Sequence, residues 1–286
     1  MYNEQMMLSL KKVEANRAAN TELQPRRMTA DEKDELLRTY HPDYRVDQFS
    51  ELVIGPNKGE RVPHELAALL QAESRIRGVK LDLENPDYDT DVLFIGGGGA
   101  GASAAIEADK AGARVTVVTK LRMGDANTMM AEGGIQAADK PNDSPAQHYI
   151  DAFGGGHFAA KPELLEKLVC EAPEAIQWLS DLGVEFDKMP DGTMITTHGG
   201  GTSRKRMHAA KDYSGAEIMR TLRDEVLCRG IPVIDFTAAV ELILDENGNA
   251  AGAVLMNMET EELLVARAKT VIIATGGAGR LHYQGF

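Results

Sequence analysis

Three glycines follow a short apolar segment at a spacing typical of phosphate binding. Residues 91–95 read Asp-Val-Leu-Phe-Ile, typical of a buried parallel strand, and Gly96, Gly98 and Gly101 then match the pattern G-x-G-x-x-G. These glycines allow a sharp turn, a close approach to a pyrophosphate and tight helix–sheet packing. A helix predicted over 102–111 leaves its first amides free for anionic oxygens. The sequence predicts a dinucleotide site; the alternative is a tight turn with no ligand.

The next segment completes the unit that such a site requires. Residues 114–119, Arg-Val-Thr-Val-Val-Thr, predict a second parallel strand and close a βαβ unit of about 30 residues. In NAD-dependent dehydrogenases an acidic side chain at the end of this strand holds a ribose hydroxyl. Thr119 and Lys120 occupy that place here, which argues against an ordinary NAD-binding dehydrogenase.

Composition limits the possible partners. The chain has 286 residues and a net charge of −13, which argues against nucleic acid as a partner and favours a cytoplasmic protein. It contains no run of 18 apolar residues, so we expect no membrane insertion. Cys170 and Cys228 lie far apart in the sequence, which favours free thiols over a disulfide, and no metal site is predicted.

Residues 1–88 are predicted to form a helical N-terminal extension to a domain spanning 89–286. Residues 4–17 and 29–40 have helical periodicity, and the second segment opens with Thr-Ala-Asp-Glu, a capping-box sequence.

The rest of this extension predicts a mixed structure. A hairpin or loop is expected over 48–62, and Pro63 is predicted to begin a third helix that runs to about Ile76. Two interpretations of the extension stay open. It either lies over the main domain or serves as a docking arm for another subunit.

A second motif follows the βαβ unit. Residues 119–138 begin with Thr-Lys and end with Asn-Thr-Met-Met-Ala-Glu-Gly-Gly-Ile-Gln-Ala-Ala. This segment resembles the Thr-Lys…(Ser/His)-Thr…Ala-(Gln/Glu)-Gly-Gly-Ile-x-Ala-Ala loop of the succinate dehydrogenase/fumarate reductase flavoprotein family, which includes L-aspartate oxidase. The resemblance implies an α/β fold with a Rossmann-like, two-dinucleotide-binding FAD domain. In that family the loop wraps the isoalloxazine ring and pyrophosphate of FAD.

The remaining elements fit this architecture. Helices are predicted over 161–182 and 215–229, and a strand over 231–236. The apolar face of the first helix is predicted to contain Leu164, Leu168, Ala172, Ile176 and Leu179.

The C-terminal part contains the second FAD fingerprint of the family. A hairpin is predicted over 239–257 with its turn at 246–248, and a further strand over 261–268. Residues 270–279, Thr-Val-Ile-Ile-Ala-Thr-Gly-Gly-Ala-Gly, resemble the strand whose small terminal residues let the sheet pass close to the pyrophosphate. The resemblance covers 90–279, which corresponds to the first half of a family member.

The resemblance assigns cofactor contacts by position. The implied contacts are Gly96, Gly98, Gly99, Ala100, Gly101, Thr119, Lys120, Asn127, Thr128, Ala131, Gly133, Gly134, Ala239, Ala274, Thr275 and Gly276. In the family, backbone at the position of Ala239 contacts adenine. Membrane-bound relatives carry a histidine that is covalently joined to the flavin at the position of Asn127. Asparagine cannot form that bond, so we expect non-covalent FAD.

A third block resembles the wall of the substrate site. Residues 197–215 are similar to the family's Gly-Gly-x-Ser…Arg…His-Ala-Ala-Asp…Thr-Gly block, which makes His198, Gly200 and Thr202 the substrate-side candidates. Fumarate reductases and succinate dehydrogenases place Phe at the position of His198, and L-aspartate oxidase places Glu there. His198 is therefore interpreted either as a donor to the substrate or as a loop histidine bonded to backbone.

Two basic features follow this block. The run 204–206, Arg-Lys-Arg, is interpreted as a solvated turn, with attraction of an anionic substrate as the alternative. His208 matches the family's His-Ala-Ala sequence and is expected to make a structural contact on the flavin side.

The resemblance implies a function. We expect hydride transfer between the flavin and a small dicarboxylate, as in fumarate reductase, with electrons passed to or from an iron–sulfur subunit. The alternatives are an L-aspartate-oxidase-like amino-acid oxidase and a non-catalytic electron-relay subunit of a larger complex. The family's capping domain, substrate-binding histidine and proton-donating arginine lie beyond the position of Phe286. The chain is therefore interpreted as part of a longer subunit, with its catalytic residues outside this sequence.

Overall fold

The structure is a computed structural model that describes residues 3–23, 26–41, 45–74 and 76–279. The chain divides into two compact units, Met1–Glu73 and Ser74–Phe286. The domain boundary expected between residues 88 and 89 stays a prediction. We also expected the chain to be part of a longer subunit, and that prediction concerns a region outside the described residues. Parts of the predicted N-terminal extension lie outside the described residues as well.

Among its described residues, the first unit contains three α-helices and a small hairpin. Its elements are α1 (Glu4–Glu22), α2 (Ala30–Tyr40), β1 (Phe49–Glu51), β2 (Arg61–Pro63) and α3 (His64–Leu70). The predicted capping box of α2 is confirmed, because Glu32 N donates to Thr29 Oγ1 and Thr29 N donates to Glu32 Oε2. Helix α3 is shorter than predicted, since the chain turns after Leu70 and Ala72 has a left-handed φ of 53°.

The second unit is an α/β assembly. Its elements are β3 (Tyr88–Ile95), α4 (Gly99–Lys110), β4 (Val115–Val118), β5 (Ile135–Gln136), α5 (Pro145–Gly155), α6 (Pro162–Asp181), β6 (Thr196–His198), β7 (Lys205–His208), α7 (Ser214–Cys228), β8 (Val233–Ile234), β9 (Thr237–Leu244), β10 (Ala250–Asn257) and β11 (Leu263–Ile273). The predicted βαβ unit is confirmed as β3, α4 and β4, and the predicted hairpin as β9 and β10. The strand predicted over 231–236 is reduced to the two residues of β8.

Most of these strands form one six-stranded sheet in the order β8-β4-β3-β11-β10-β9. Strand β11 joins its two halves, because residues 263–267 pair antiparallel with β10 and residues 266–273 pair parallel with β3. The sequence predicted two separate strands over this region. Since β3, β4 and β11 are parallel, their carboxyl ends meet at one edge of the sheet.

Apolar side chains on two sides of β3 form the core. One cluster joins β3 and β4 to α4, α6 and α7, and includes Phe94, Ala102, Ala105, Ile106, Val117, Ile176, Met219 and Leu222. Ala102 and Ala105 of α4 are fully buried, and their small size allows that helix to lie close to the sheet. A second cluster joins Leu93, Ile95 and Val118 to side chains of β10 and β11.

The predicted apolar face of α6 is partly wrong. Leu164 and Leu168 are 62% and 58% exposed, whereas Val169, Ile176 and Leu179 are buried. Helix α6 carries two apolar rows, and tertiary packing rather than periodicity selects the row that faces the core.

The structure also shows the state of the two cysteines and the character of the helices. Cys170 and Cys228 are free thiols, as predicted, and both are exposed. Among the helices of the described residues, none is long and apolar enough to cross a membrane.

Candidate functional site

The glycine turn after β3 brings three elements into backbone contact. Gly96 has a φ of +120°, and a Cβ there would lie 2.2 Å from the Ala274 carbonyl oxygen. A Cβ on Gly101 would lie 1.9 Å from the Gly96 carbonyl oxygen. Ala274 N donates to Ile95 O at 2.8 Å, which fixes the residue after β11 beside the turn. Only glycine therefore fits at Gly96 and Gly101, and the two predicted FAD fingerprints lie side by side.

The start of α4 presents amides at this edge. The first N–H groups of any helix have no intrahelical acceptor. Gly99 N donates to Thr128 Oγ1 at 3.2 Å, so the helix start is tied to the flavin loop predicted over 119–138. The first-turn amides of Ala100 and Gly101 follow, and Ala100 is exposed. A helix start of this kind favours an anionic group such as a phosphate.

The flavin loop is supported from behind by α7. Asn127 begins a 3₁₀ turn that ends at Met130. Gly215 N donates to Ala131 O at 2.7 Å, and a Cβ on Gly215 would lie 1.9 Å from Thr128 O. The start of α7 therefore packs directly on the loop backbone. The predicted contacts Asn127 and Ala131 are exposed.

The end of this loop packs against β7. Gly134 has a φ of +114°, and a Cβ there would lie 2.3 Å from His208 O. The side chain of Met207 lies beside Gly133 and Gly134. Sequence reasoning missed Met207, although alternation along a strand places it opposite to its neighbours.

His208 lies on the other face of β7. Its Nε2 is 3.1 Å from Asp139 Oδ2, and its ring makes an edge contact with Phe186 at a centroid distance of 6.2 Å. The side chain is fully buried, and the residue pairs with Ile135 at the end of the flavin loop. The expected structural contact of His208 on the flavin side stays a prediction.

Other predicted contacts lie along the same sheet edge. A groove of about 260 Å³ is lined by Ile95, Ala239, Val240, Glu241, Leu242, Ile273 and Thr275. It brings together Ala239 and Thr275, which lie 36 positions apart in the numbering of the chain. Thr119 is buried against Gly97, while Lys120 and Gly276 are exposed.

The substrate-side candidates lie on the turn that joins β6 to β7. His198 ends β6 and is exposed, and Gly200 is exposed next to it. Thr202 Oγ1 accepts from Gly199 N at 3.1 Å and donates to Gly199 O at 3.0 Å, which closes the turn. Gln136 of β5 lies against Gly199. The order β5-β7-β6 thus joins the end of the flavin loop to the candidate substrate turn in one small sheet.

The basic run beside this turn is not uniformly solvated. Arg206 is fully buried and makes a bidentate ion pair with Asp143, with Nε–Oδ2 and Nη2–Oδ1 distances of 2.7 Å and 2.9 Å. Its Nη1 donates to Asp151 Oδ2 at 2.6 Å. The interpretation of this run as a solvated turn is therefore wrong for Arg206, whereas Arg204 and Lys205 are exposed. The sequence contained no local signal for this pairing, since both partners lie more than 50 positions away.

The charges in this cluster stabilise one another. The Asp143 carboxylate raises the pKa of the Arg206 guanidinium, and Arg206 lowers the pKa of Asp143. Burial opposes ionisation of Asp151, but hydrogen bonds from Ser203 and Arg206 outweigh it and lower its pKa. Burial also lowers the pKa of His148, and the Arg206 charge adds to that effect.

These observations test whether the residues fit a dinucleotide. The turn glycines allow backbone to approach a ligand, the start of α4 offers amides, and the flavin loop is tied to that start through Thr128. The fold and the site define a dinucleotide-binding α/β domain with a mixed sheet.

Comparison with known proteins identifies the family. Residues 91–285 match the FAD binding domain family, and the chain belongs to it. It is 35% identical over 210 residues to an L-aspartate oxidase of Streptomyces coelicolor, covering 71% of this chain and 36% of that protein. It is 36% identical over 204 residues to one component of the fumarate reductase (CoM/CoB) of Methanothermobacter marburgensis, covering 70% of this chain and 37% of the relative.

The chain is also similar to a solved structure of the same kind of protein. The Mycobacterium smegmatis Sdh1 complex in the apo form matches with a TM-score of 0.64 and 36% identity, over 68% of this chain and 35% of that chain. FAD is the cofactor of this domain, which is related to fumarate reductase and succinate dehydrogenase flavoprotein subunits and to L-aspartate oxidase. The chain spans about a third of the length of these relatives, less than the half that the motifs implied.

Proposed function

We propose that this chain is the FAD-binding part of an oxidoreductase that transfers hydride between the flavin and a small dicarboxylate, with electrons exchanged with an iron–sulfur subunit. The arrangement of the small sheet carries the proposal. Strand β5 lies within the flavin loop, β7 packs against Gly134, and β6 ends at His198. The flavin loop and the candidate substrate turn are therefore held by the same small sheet. A cofactor and a substrate that exchange a hydride must lie in contact, which this support allows.

In this proposal each part of the chain has a separate task. Bound FAD supplies the two-electron chemistry. The amides of Ala100 and Gly101 would bind its phosphates, Gly134 lets the flavin loop pack closely on β7, and Asn127 would leave the flavin non-covalent. His198, with Gly200 and Thr202, forms one wall of the dicarboxylate site. The acid that completes the reaction is not assigned to this chain.

The chain is similar to an L-aspartate oxidase and to a fumarate reductase subunit at nearly the same identity, so the substrate is the part of the proposal that needs a test. The native FAD-loaded protein is reduced anaerobically with dithionite and mixed with fumarate, while flavin absorbance is recorded. In parallel, oxidised protein is mixed with L-aspartate in air and peroxide is measured. We expect reoxidation by fumarate and no peroxide with aspartate.

Variants of His198 make the experiment specific. His198→Glu and His198→Phe place the residue types of the two kinds of relative at this position, and the exposed His157→Gln is a matched control. We expect both His198 variants, but not the control, to change the Michaelis constant for fumarate. Peroxide formation with aspartate would favour the amino-acid oxidase, and no reaction with either compound would favour the electron-relay subunit.

A further inference from the structure

The candidate substrate turn is hydrogen-bonded at one end to Asp151 of α5, whose side chain is largely buried. Ser203, the residue after Thr202, donates to Asp151 Oδ2 from both its backbone N, at 2.9 Å, and its Oγ, at 2.7 Å. The same oxygen accepts from Arg206 Nη1 at 2.6 Å. One carboxylate oxygen on α5 therefore accepts three hydrogen bonds, two from Ser203, which precedes β7, and one from Arg206 within β7.

Asp151 is itself held in place by neighbouring side chains. The side chain of Asp151 is 11% exposed, and its other oxygen accepts from Gln147 Nε2 at 3.1 Å. Arg206 is fixed in turn by Asp143, whose side chain is 1% exposed. Buried charged networks with every partner satisfied hold their members in one geometry.

The turn has further contacts: His198 pairs with Lys205, and Gln136 lies against Gly199. The turn closes on itself through Thr202 and Gly199, and Gly200 and Gly201 have open space where a side chain would stand. Arg204 adds one bond from its Nε to Asn142 O at 3.1 Å. With three glycines in succession, the turn has little intrinsic preference for one conformation.

We propose that Asp151 is the positioning residue of the candidate substrate turn. It fixes Ser203, and through Ser203 it sets where Thr202, Gly200 and His198 stand relative to the flavin loop. The importance of Asp151 for substrate binding rests on the proposed function. Its role in fixing the conformation of the turn does not depend on that function. Asp151 acts through Ser203 and touches neither the cofactor contacts nor the candidate substrate contacts directly.

The test compares three variants of the FAD-loaded protein. Asp151→Asn keeps the size of the side chain but removes its charge, and Ser203→Ala removes one donor on an exposed residue without disturbing the buried charges. Asp191→Asn is the matched control, because Asp191 also accepts a backbone amide, from Thr193 N at 2.9 Å, on a different turn.

The first measurement is amide hydrogen exchange over residues 198–205. We expect exchange to accelerate by about 10-fold in Asp151→Asn, as for the loss of one charge-assisted hydrogen bond, and by less in Ser203→Ala. FAD content and exchange in α4 should stay unchanged. Unchanged exchange over 198–205 in both variants overturns the proposal, and Ser203→Ala decides the matter if Asp151→Asn does not fold.

The second measurement separates positioning from general stability. The Michaelis constant for fumarate should rise by about 10-fold in Asp151→Asn with a smaller change in kcat, and the control should match the unmodified protein. Faster exchange with an unchanged Michaelis constant overturns the role in substrate binding. If neither the unmodified protein nor any variant reacts with a dicarboxylate, the proposed function is wrong. The hydrogen-exchange result still decides whether Asp151 holds the turn in place.

Discussion

Removing the buried guanidinium of Arg206 should destabilise the protein more than removing any exposed arginine. In Arg206→Met, Asp143 and Asp151 lose their counter-ion, although their side chains are only 1% and 11% exposed. Removing one partner of a buried ion pair costs about 3–5 kcal/mol, because an uncompensated charge stays in the interior. We expect the free energy of unfolding at pH 7 to fall by about that amount.

The loss should also depend on pH. In the unmodified protein the lowered pKa values of Asp143 and Asp151 stabilise the fold above the ordinary carboxyl pKa of about 4, and this contribution is lost as pH falls further. In Arg206→Met the same buried carboxyls favour the neutral form, so protonation relieves the penalty. The difference in unfolding free energy between the two proteins should therefore shrink from pH 7 to pH 4.

Urea denaturation followed by the fluorescence of Trp178, the single tryptophan, measures this difference. Arg220→Met is the matched control, because Arg220 is half-exposed and pairs with Glu217 at 2.6 Å within α7. An exposed pair of this kind contributes about 1 kcal/mol or less. A loss in Arg206→Met no larger than that of the control, or a loss that does not depend on pH, would refute the argument from burial.

Three further predictions address the cofactor site and the buried histidine. Gly101→Ala places a Cβ 1.9 Å from a backbone oxygen and should weaken FAD binding by about 10- to 100-fold in a fluorescence titration, whereas Gly154→Ala, with open space around it, should not. Thr128→Val removes the acceptor that ties the start of α4 to the flavin loop, so FAD affinity should fall by about 10-fold in the same titration; an unchanged affinity would count against that tie. Because burial lowers the pKa of His148, unfolding exposes a group that binds a proton more readily, and stability falls as pH drops below about 6.5. His148→Gln should reduce this fall between pH 7 and pH 5 in urea denaturation, the exposed His157→Gln should not, and equal slopes would contradict the assignment.

Local patterns were sufficient for the nucleotide-binding half of the fold. The strand before Gly96, the helix after it and the hairpin turned at 246–248 were predictable because periodicity, glycine spacing and turn chemistry act over a few residues. The contact residues placed by resemblance, such as Thr128 and Gly134, lie beside the glycine turn or the small sheet in the structure.

Long-range pairing accounts for what the sequence did not reveal. The joining of residues 263–273 into one strand depends on two different partners, β10 and β3. The burial of Arg206 depends on carboxylates of the segment 143–151, and no local pattern distinguishes it from the exposed Lys205. The position of Met207 beside Gly133 follows from strand alternation once β7 is known to be a strand.

We propose that this chain holds FAD without a covalent bond on the edge formed by Gly96, Gly101 and Thr128. The most direct test is an absorption spectrum of the purified native protein before and after acid precipitation. We expect a flavin band in the native protein and FAD in the supernatant after precipitation, with none in the pellet. Flavin retained in the precipitated protein would contradict the role of Asn127, and a native protein without flavin would contradict the site itself.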